Sequence, residues 1–264
     1  GLGAIHNGGG RVSVSWRFLY GEPVDAGFDL YRATGGGEEI KLNREPLVKS
    51  SFFVDTDVDT TVDNVYTVRP SGRKDLPSAS YTLTPALAAK PYLSFKLQPV
   101  EGIPEGKYTP TDASVADLDG DGEYEIIIKM VTTEFDNGGG GLCTEGSLID
   151  AYKLDGTFMW RVDLGLNIRQ GAHYTQMMLY DFDGDGKAEL AVKTAEGTKF
   201  GDGAVIGDGR TDYRITDRSQ RAYGKILEGP EFLSIIEGST GRELARTDFI
   251  PRGEKGEFGD TYGN

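Results

Sequence analysis

Cysteine and histidine are nearly missing from this 264-residue chain, which has one cysteine, Cys143, and two histidines, His6 and His173. A lone cysteine closes no internal disulfide and builds no paired-cysteine zinc site, so it selects no redox compartment. Basic residues are also in deficit, since 28 Lys and Arg against 42 Asp and Glu leave a net charge of −14. That balance argues against general electrostatic attraction to nucleic acid or to an anionic membrane surface. No apolar run is long enough to span a bilayer, and the chain opens at Gly1 with neither an initiator Met nor a signal-peptide core. A mature or trimmed product is expected. Helical periodicity is missing too: no segment competes with a strand reading.

What is present is a rhythm of short strands. Runs such as Arg11-Val12-Ser13-Val14-Ser15-Trp16, Phe28-Asp29-Leu30-Tyr31 and Val65-Tyr66-Thr67-Val68 alternate or are rich in β-formers, and most of the 38 glycines fall between such runs. An all-β fold is expected. Pro85-Ala86-Leu87-Ala88-Ala89-Lys90-Pro91 interrupts the rhythm with two prolines around small residues, dividing the chain into residues 1–88 and 89–264. The first part has the size of a sandwich domain of the fibronectin type III or immunoglobulin kind. Trp16, Tyr31 and Tyr66 are spaced as its core aromatics.

The second part carries the strongest signal, the pattern D-x-D-G-D-G-x-x-E, at residues 117–125 and again at 181–189. Asp117, Asp119 and Asp121 in one loop, and Asp181, Asp183 and Asp185 in the other, aim carboxylates inward. Glycine permits the sharp turn, Glu123 and Lys187 offer backbone carbonyls, and Glu125 and Glu189 close each set. This is the front half of an EF-hand loop, but it closes at position 9 and runs into a strand instead of a helix. So many close carboxylates repel one another without a cation, which predicts two bound Ca2+ ions in structural roles. Such loops are most useful where calcium is plentiful, in a secreted, periplasmic or cell-surface protein.

The loops belong to a repeat, because their first aspartates lie 64 positions apart. Ile126-Ile127-Ile128-Lys129 follows one loop as Leu190-Ala191-Val192-Lys193 follows the other. Ile149 to Trp160 then reads as strand, Asp-Gly turn and strand, with its counterpart in Leu233 to Leu244. Each unit amounts to about four strands, the blade of a β-propeller. Two blades close no propeller and would expose sheet edges, so further blades are expected from a longer chain or a partner.

Other residues could carry chemistry. Asn167-Ile168-Arg169-Gln170-Gly171-Ala172-His173-Tyr174-Thr175-Gln176 gathers Arg, His, Tyr and Gln before the second loop, and His173 could serve as a base. Lys129 and Lys193 end equivalent strands. A desolvated lysine could remove a proton or neutralise a carboxylate, while recurrence in each unit argues for an architectural part. The stretch from Thr198 to Pro230 is an insertion holding Asp202, Asp208, Arg210, Asp212, Tyr213 and Arg214, suited either to shaping a binding rim or to a solvated excursion. Gly138-Gly139-Gly140-Gly141 reads as a flexible loop without a phosphate-binding context.

The acidic loops, Tyr152-Lys153-Leu154-Asp155-Gly156-Thr157, Trp160-Arg161-Val162-Asp163-Leu164-Gly165 and Gly171-Ala172-His173-Tyr174-Thr175-Gln176, taken together, resemble polysaccharide lyase family 11. These are the rhamnogalacturonan lyases of pectin degradation. The similarity runs from about residue 90 through Tyr262-Gly263-Asn264, and the preceding sandwich matches the family's small N-terminal domain. The resemblance implies an eight-bladed, calcium-bearing propeller that cleaves the rhamnogalacturonan I backbone by β-elimination at galacturonate. For that chemistry the catalytic candidates are His173, Lys193 and Arg169, and the substrate-binding candidates are Asp112, Lys129 and Tyr174. Positive charge at such a site would also let an acidic protein handle an acidic polymer. Two departures stand out: Thr111 replaces an asparagine and Val131 an aspartate that help hold the sugar in the family. They favour the alternative of a non-catalytic glycan-binding propeller fragment, and a calcium-dependent adhesion or scaffold module is the third reading. Family proteins are more than twice this length.

Overall fold

Short runs of β-forming residues make strands in both parts of the chain. The computed structural model describes residues 1–17, 26–73, 76, 78–132, 134 and 141–250. Residues 138–140 of the glycine run and Tyr262-Gly263-Asn264 lie outside them. The all-β expectation holds: the described residues form four antiparallel sheets and one short helix, in two compact units, Gly1–Leu93 and Ser94–Asn264. Among the described residues no helix is long and apolar enough to cross a membrane.

The first unit contains β1 (Leu2–His6), β2 (Val12–Trp16), β3 (Phe28–Thr34), β4 (Ile40–Lys41), β5 (Phe52–Asp55), β6 (Asn64–Pro70) and β7 (Ala79–Leu83). They pair as a three-stranded sheet, β1-β2-β5, and a four-stranded sheet, β4-β3-β6-β7. Val12 and Val14 from one sheet join Leu30, Tyr66 and Val68 from the other in a single buried cluster. Trp16 and Tyr66 are core residues as expected, but Tyr31 is not. Period two sends Phe28 and Leu30 inward, so Tyr31 faces the other side of β3 and lies under the Arg69 guanidinium. The segment read as a break in rhythm folds into α1 (Pro85–Ala89). Thr84 caps it by accepting from the Leu87 N–H at 3.3 Å, and Ala88 is buried in the same cluster. A five-residue helix leaves no periodic pattern to read, and proline at its first position both breaks the strand and starts the turn.

The second unit is two meanders of four strands each. One contains β8 (Tyr108–Ala116), β9 (Glu125–Thr132), β10 (Leu148–Tyr152) and β11 (Phe158–Asp163); the other contains β12 (Met177–Tyr180), β13 (Glu189–Ala195), β14 (Glu231–Ile236) and β15 (Glu243–Asp248). Each acidic loop joins the first two strands of its meander. Lys129 pairs with Ile149 as Lys193 pairs with Leu233, so the repeat read in the sequence is a repeat of register. Ile127, Ile149, Ala151, Trp160 and Val162 of the first meander form one cluster with Leu190, Val192 and Ile236 of the second.

Glycine lets the two sheets meet. Trp160 Nε1 donates to the Gly238 carbonyl at 2.7 Å, and a Cβ on Gly238 would lie 2.0 Å from the Ala188 carbonyl oxygen. Gly241 packs against the Trp160 ring, and Gly201 against Thr240 and Gly241. Because backbone, not a flexible side chain, blocks Gly238, Gly238→Ala is expected to destabilise the chain by about 3 kcal/mol. Thermal unfolding measures this; an unchanged melting temperature would mean that the seam has room for a methyl group.

Candidate functional site

The two acidic loops have the same internal wiring. In the first, Asp117 accepts from the Gly120 and Gly122 N–H groups at 2.7 and 2.9 Å, and Glu125 accepts from Leu118 at 2.8 Å. In the second, Asp181 accepts from Gly184 and Gly186 at 2.6 and 3.0 Å, and Glu189 from Phe182 at 2.9 Å. Gly122 and Gly186, at φ 89° and 90°, take the left-handed turn that a side chain would oppose. The wiring brings together Asp117, Asp119 and Glu125, and likewise Asp181, Asp183 and Glu189, each set with one oxygen per residue within 4.8 Å of the others. Asp121 and Asp185 are instead turned to the backbone of Glu123 and Lys187, at 2.8 Å each. Three hard oxygen donors so close suit a divalent cation, and both sets could hold one.

The loops differ in their neighbours. Lys153, just beyond β10, places its ammonium 2.7 Å from Asp119, 3.2 Å from Asp121 and 3.9 Å from Glu125. The hydrogen bonds to Asp119 and Asp121 raise the Lys153 pKa. Asp121 is held below the usual carboxylate range, first by the Glu123 N–H and then by Lys153. Burial pushes Glu125 upward against the pull of the Leu118 N–H. Lys153 was not among the sequence candidates; its signal was a lysine in the repeated hairpin where the other repeat has Glu237.

The candidates around the second meander separate into two groups. Lys129 is 1% exposed, and its ammonium donates to the Tyr174 carbonyl at 2.7 Å and pairs with Asp112. It thereby ties β9 to the segment that holds His173. Gln170 makes a second tie, accepting from the Thr132 N–H at 2.9 Å and donating to the Glu145 carbonyl at 2.7 Å. Thr175 sits in the left-handed region at φ 56°, an uncommon conformation for a β-branched residue. His173, Tyr174 and Lys193 line one cavity of about 580 Å³, with Met178, Phe182 and Leu233 supplying apolar wall. His173 is exposed there, and Lys193 donates to Glu231 at 2.9 Å. The Arg169 guanidinium stacks 3.4 Å from the Tyr174 ring centre.

The insertion is anchored at a few points, although much of it is exposed. Asn167 donates to the Glu196 and Thr211 carbonyls and accepts from the Tyr213 N–H, all within 2.9 Å. Arg214 pairs with Asp212 and donates to the Cys143 carbonyl at 2.6 Å. Asn167 and Gln170 are buried hubs that the sequence reading missed, because each satisfies backbone 25 or more positions away.

Comparison with known proteins divides the chain at the same boundary. A family model described as rhamnogalacturonan lyase family 11, C-terminal domain, matches residues 94–264, and one described as rhamnogalacturonan I lyases beta-sheet domain matches residues 1–85. The rhamnogalacturonan endolyase YesW of Bacillus subtilis (strain 168) is 46% identical over 271 residues, covering 100% of this chain and 41% of the relative. The rhamnogalacturonan exolyase YesX of the same organism is 44% identical over 261 residues, covering 96% and 40%. The crystal structure of YesW aligns with a TM-score of 0.72 at 44% identity, over 98% of this chain and 43% of that one. The Bacillus licheniformis rhamnogalacturonan lyase PL11 aligns at 0.73 and 45%, over 99% and 43%. The chain thus spans about two fifths of the length of these curated relatives.

With the Lys129 ammonium removed, the Tyr174 carbonyl loses a charge-assisted partner. Lys129→Met is expected to cost about 2 kcal/mol of stability. Hydrogen exchange over residues 171–176 should rise in the same variant, read by mass spectrometry. Unchanged exchange would show that the segment is held by other contacts.

Proposed function

Because the chain belongs to rhamnogalacturonan lyase family 11, we propose that it is the N-terminal portion of a pectin lyase acting on the rhamnogalacturonan I backbone. The observation that carries this reading is the convergence of His173, Tyr174 and Lys193 on one cavity, with Arg169 stacked on Tyr174. The reaction is a β-elimination: a base takes the proton from C5 of galacturonate, the C4–O4 bond breaks to leave a C4=C5 double bond in the uronate, and the departing rhamnose oxygen takes up a proton as a hydroxyl. That C5 proton is too weakly acidic unless positive charge stabilises the developing dianion. His173 is the accessible base, Arg169 and Lys193 supply positive charge, and Tyr174 offers a hydroxyl and a ring face to the sugar. Asp112 and Lys129 act on this segment from behind, through the Tyr174 carbonyl.

We further read the first unit as a fibronectin type III-like sandwich and the second as two blades of an eight-bladed propeller. The repeat itself supports this. Ile127, Ile149 and Ala151 are fully buried against the second meander, whereas their register equivalents Ala191, Leu233 and Ile235 line the open cavity on the far face of that meander. Met178 and Leu233 on that face are 60% and 36% exposed. A face that is interior in one repeat and open in the next is the seat of a further repeat. Calcium, when bound, neutralises the loop carboxylates and ties each loop to its strands, a structural service. That requirement suits a secreted, periplasmic or cell-surface protein.

A non-catalytic glycan-binding fragment is the second reading, favoured by two side chains. Val131 is 8% exposed, and the Thr111 hydroxyl is spent on the Lys129 carbonyl at 3.3 Å, so neither offers the sugar what the family residues offer.

Activity separates the readings. A chain that carries the remaining blades, supplied with calcium and rhamnogalacturonan I, is expected to release product with the ultraviolet absorbance of an unsaturated uronate. His173→Ala should lower that rate by about a hundredfold or more with an unchanged melting temperature. No absorbance from the full-length wild type would remove the lyase reading and leave the glycan-binding one. Asp119→Ala and Asp183→Ala should each lower the melting temperature in calcium, and the unfolding curve of Asp183→Ala should converge on that of wild type in chelator.

A further inference from the structure

The two loops share a fold but not a charge environment, and the difference has a functional consequence. Lys153 seats its ammonium among Asp119, Asp121 and Glu125, two of which belong to the carboxylate set that could hold a cation. In register, Lys153 corresponds to Glu237, because Ile149 and Leu233 pair with equivalent lysines. Glu237 is engaged by Thr240 and Arg242 of its own hairpin. Among the described residues no Lys or Arg side chain makes an ion pair with Asp181, Asp183, Asp185 or Glu189. Lys187, the one lysine inside the second loop, lays its aliphatic stem against Gly120 of the first.

We propose that Lys153 is a built-in counter-ion of the first loop, so that the two loops take a divalent cation with unequal affinity. The second loop binds it tightly. The first binds it only by displacing the ammonium, and keeps its shape when no cation is present. This rests on the reading of both loops as calcium sites. The physical basis is direct: a cation entering the first set must displace the ammonium that sits 2.7 Å from Asp119 and 3.9 Å from Glu125, and meets its positive charge. In the second set it meets only uncompensated carboxylates. The Asp117 carbonyl accepts from the Ala188 N–H at 2.8 Å, so the first loop is joined to the second and the two meanders meet there. A resident ammonium keeps that joint formed at low calcium.

Calcium titration of the 264-residue chain by calorimetry tests this, with melting temperatures in chelator alongside. Wild type should show one tight and one weak site; Asp183→Asn should abolish the tight one and Asp119→Asn the weak one. Lys153→Met, and likewise Lys153→Gln, should tighten the weak site by about tenfold or more and leave the tight site unchanged. The same variants should melt lower than wild type in chelator. Equal affinities in wild type, or an unchanged weak site in both lysine variants, would overturn the proposal while leaving the calcium reading in place. No binding to wild type or variants would overturn both.

Discussion

Apolar residues on both faces of each four-stranded meander are the constraint on which the rest of the second unit depends. A sheet that is apolar on one face needs one neighbour; a sheet apolar on both must sit inside a stack. The first meander buries Ile127, Ile149 and Ala151 against Leu190, Val192 and Ile236 of the second. Close approach then demands backbone where side chains would collide, which accounts for Gly238 beside Leu118 and Gly241 beneath Trp160. The acidic loops stand at the same end of the two sheets, and the Asp117 carbonyl reaches Ala188 because the stacking brings them together.

Each loop solves half of its own electrostatic problem. Backbone N–H groups from Gly120 and Gly122, or from Gly184 and Gly186, satisfy the leading aspartate, and the closing glutamate accepts from the residue after that aspartate. Fixing the carboxylates in place leaves their mutual repulsion uncancelled. A divalent cation, which either set could hold, would offset that repulsion and could be withdrawn; Lys153, beside the first set, is part of the chain itself.

Much of this was legible in the sequence, and the reason is locality. The loops, the Asp-Gly hairpin and the register of Lys129 with Lys193 depend on residues a few positions apart, so spacing alone exposes them. The convergence of His173, Tyr174 and Lys193 was legible only as a list of suitable residue types, because the cavity joins a loop to strands much further along the chain. Asn167, Gln170 and Lys153 were not legible in this way. Their partners are backbone groups or carboxylates that a linear pattern does not align, and only Lys153 left a trace, as a break in an otherwise kept repeat. Tyr31 failed for a different cause: aromatic content marked it as core, and strand phase placed it outside.

Lys129 and Lys193 show how one repeat position acquires two environments. Recurrence argues for architecture, and the buried Lys129 ammonium holds the Tyr174 carbonyl and the half-exposed Asp112. Lys193 occupies the same register position, but the face it shares with Ala191 and Leu233 is open. Its ammonium meets Glu231 and the Phe249 ring on the wall of the cavity that His173 enters. The sequence rule is the same in both repeats. Position in the stack decides whether the lysine secures a segment or faces a space that an anionic sugar could fill. In a stack whose next member covers that face only in part, the rim lysine keeps access to the cavity, and a structural residue type becomes available for chemistry without a change in the repeat that produced it.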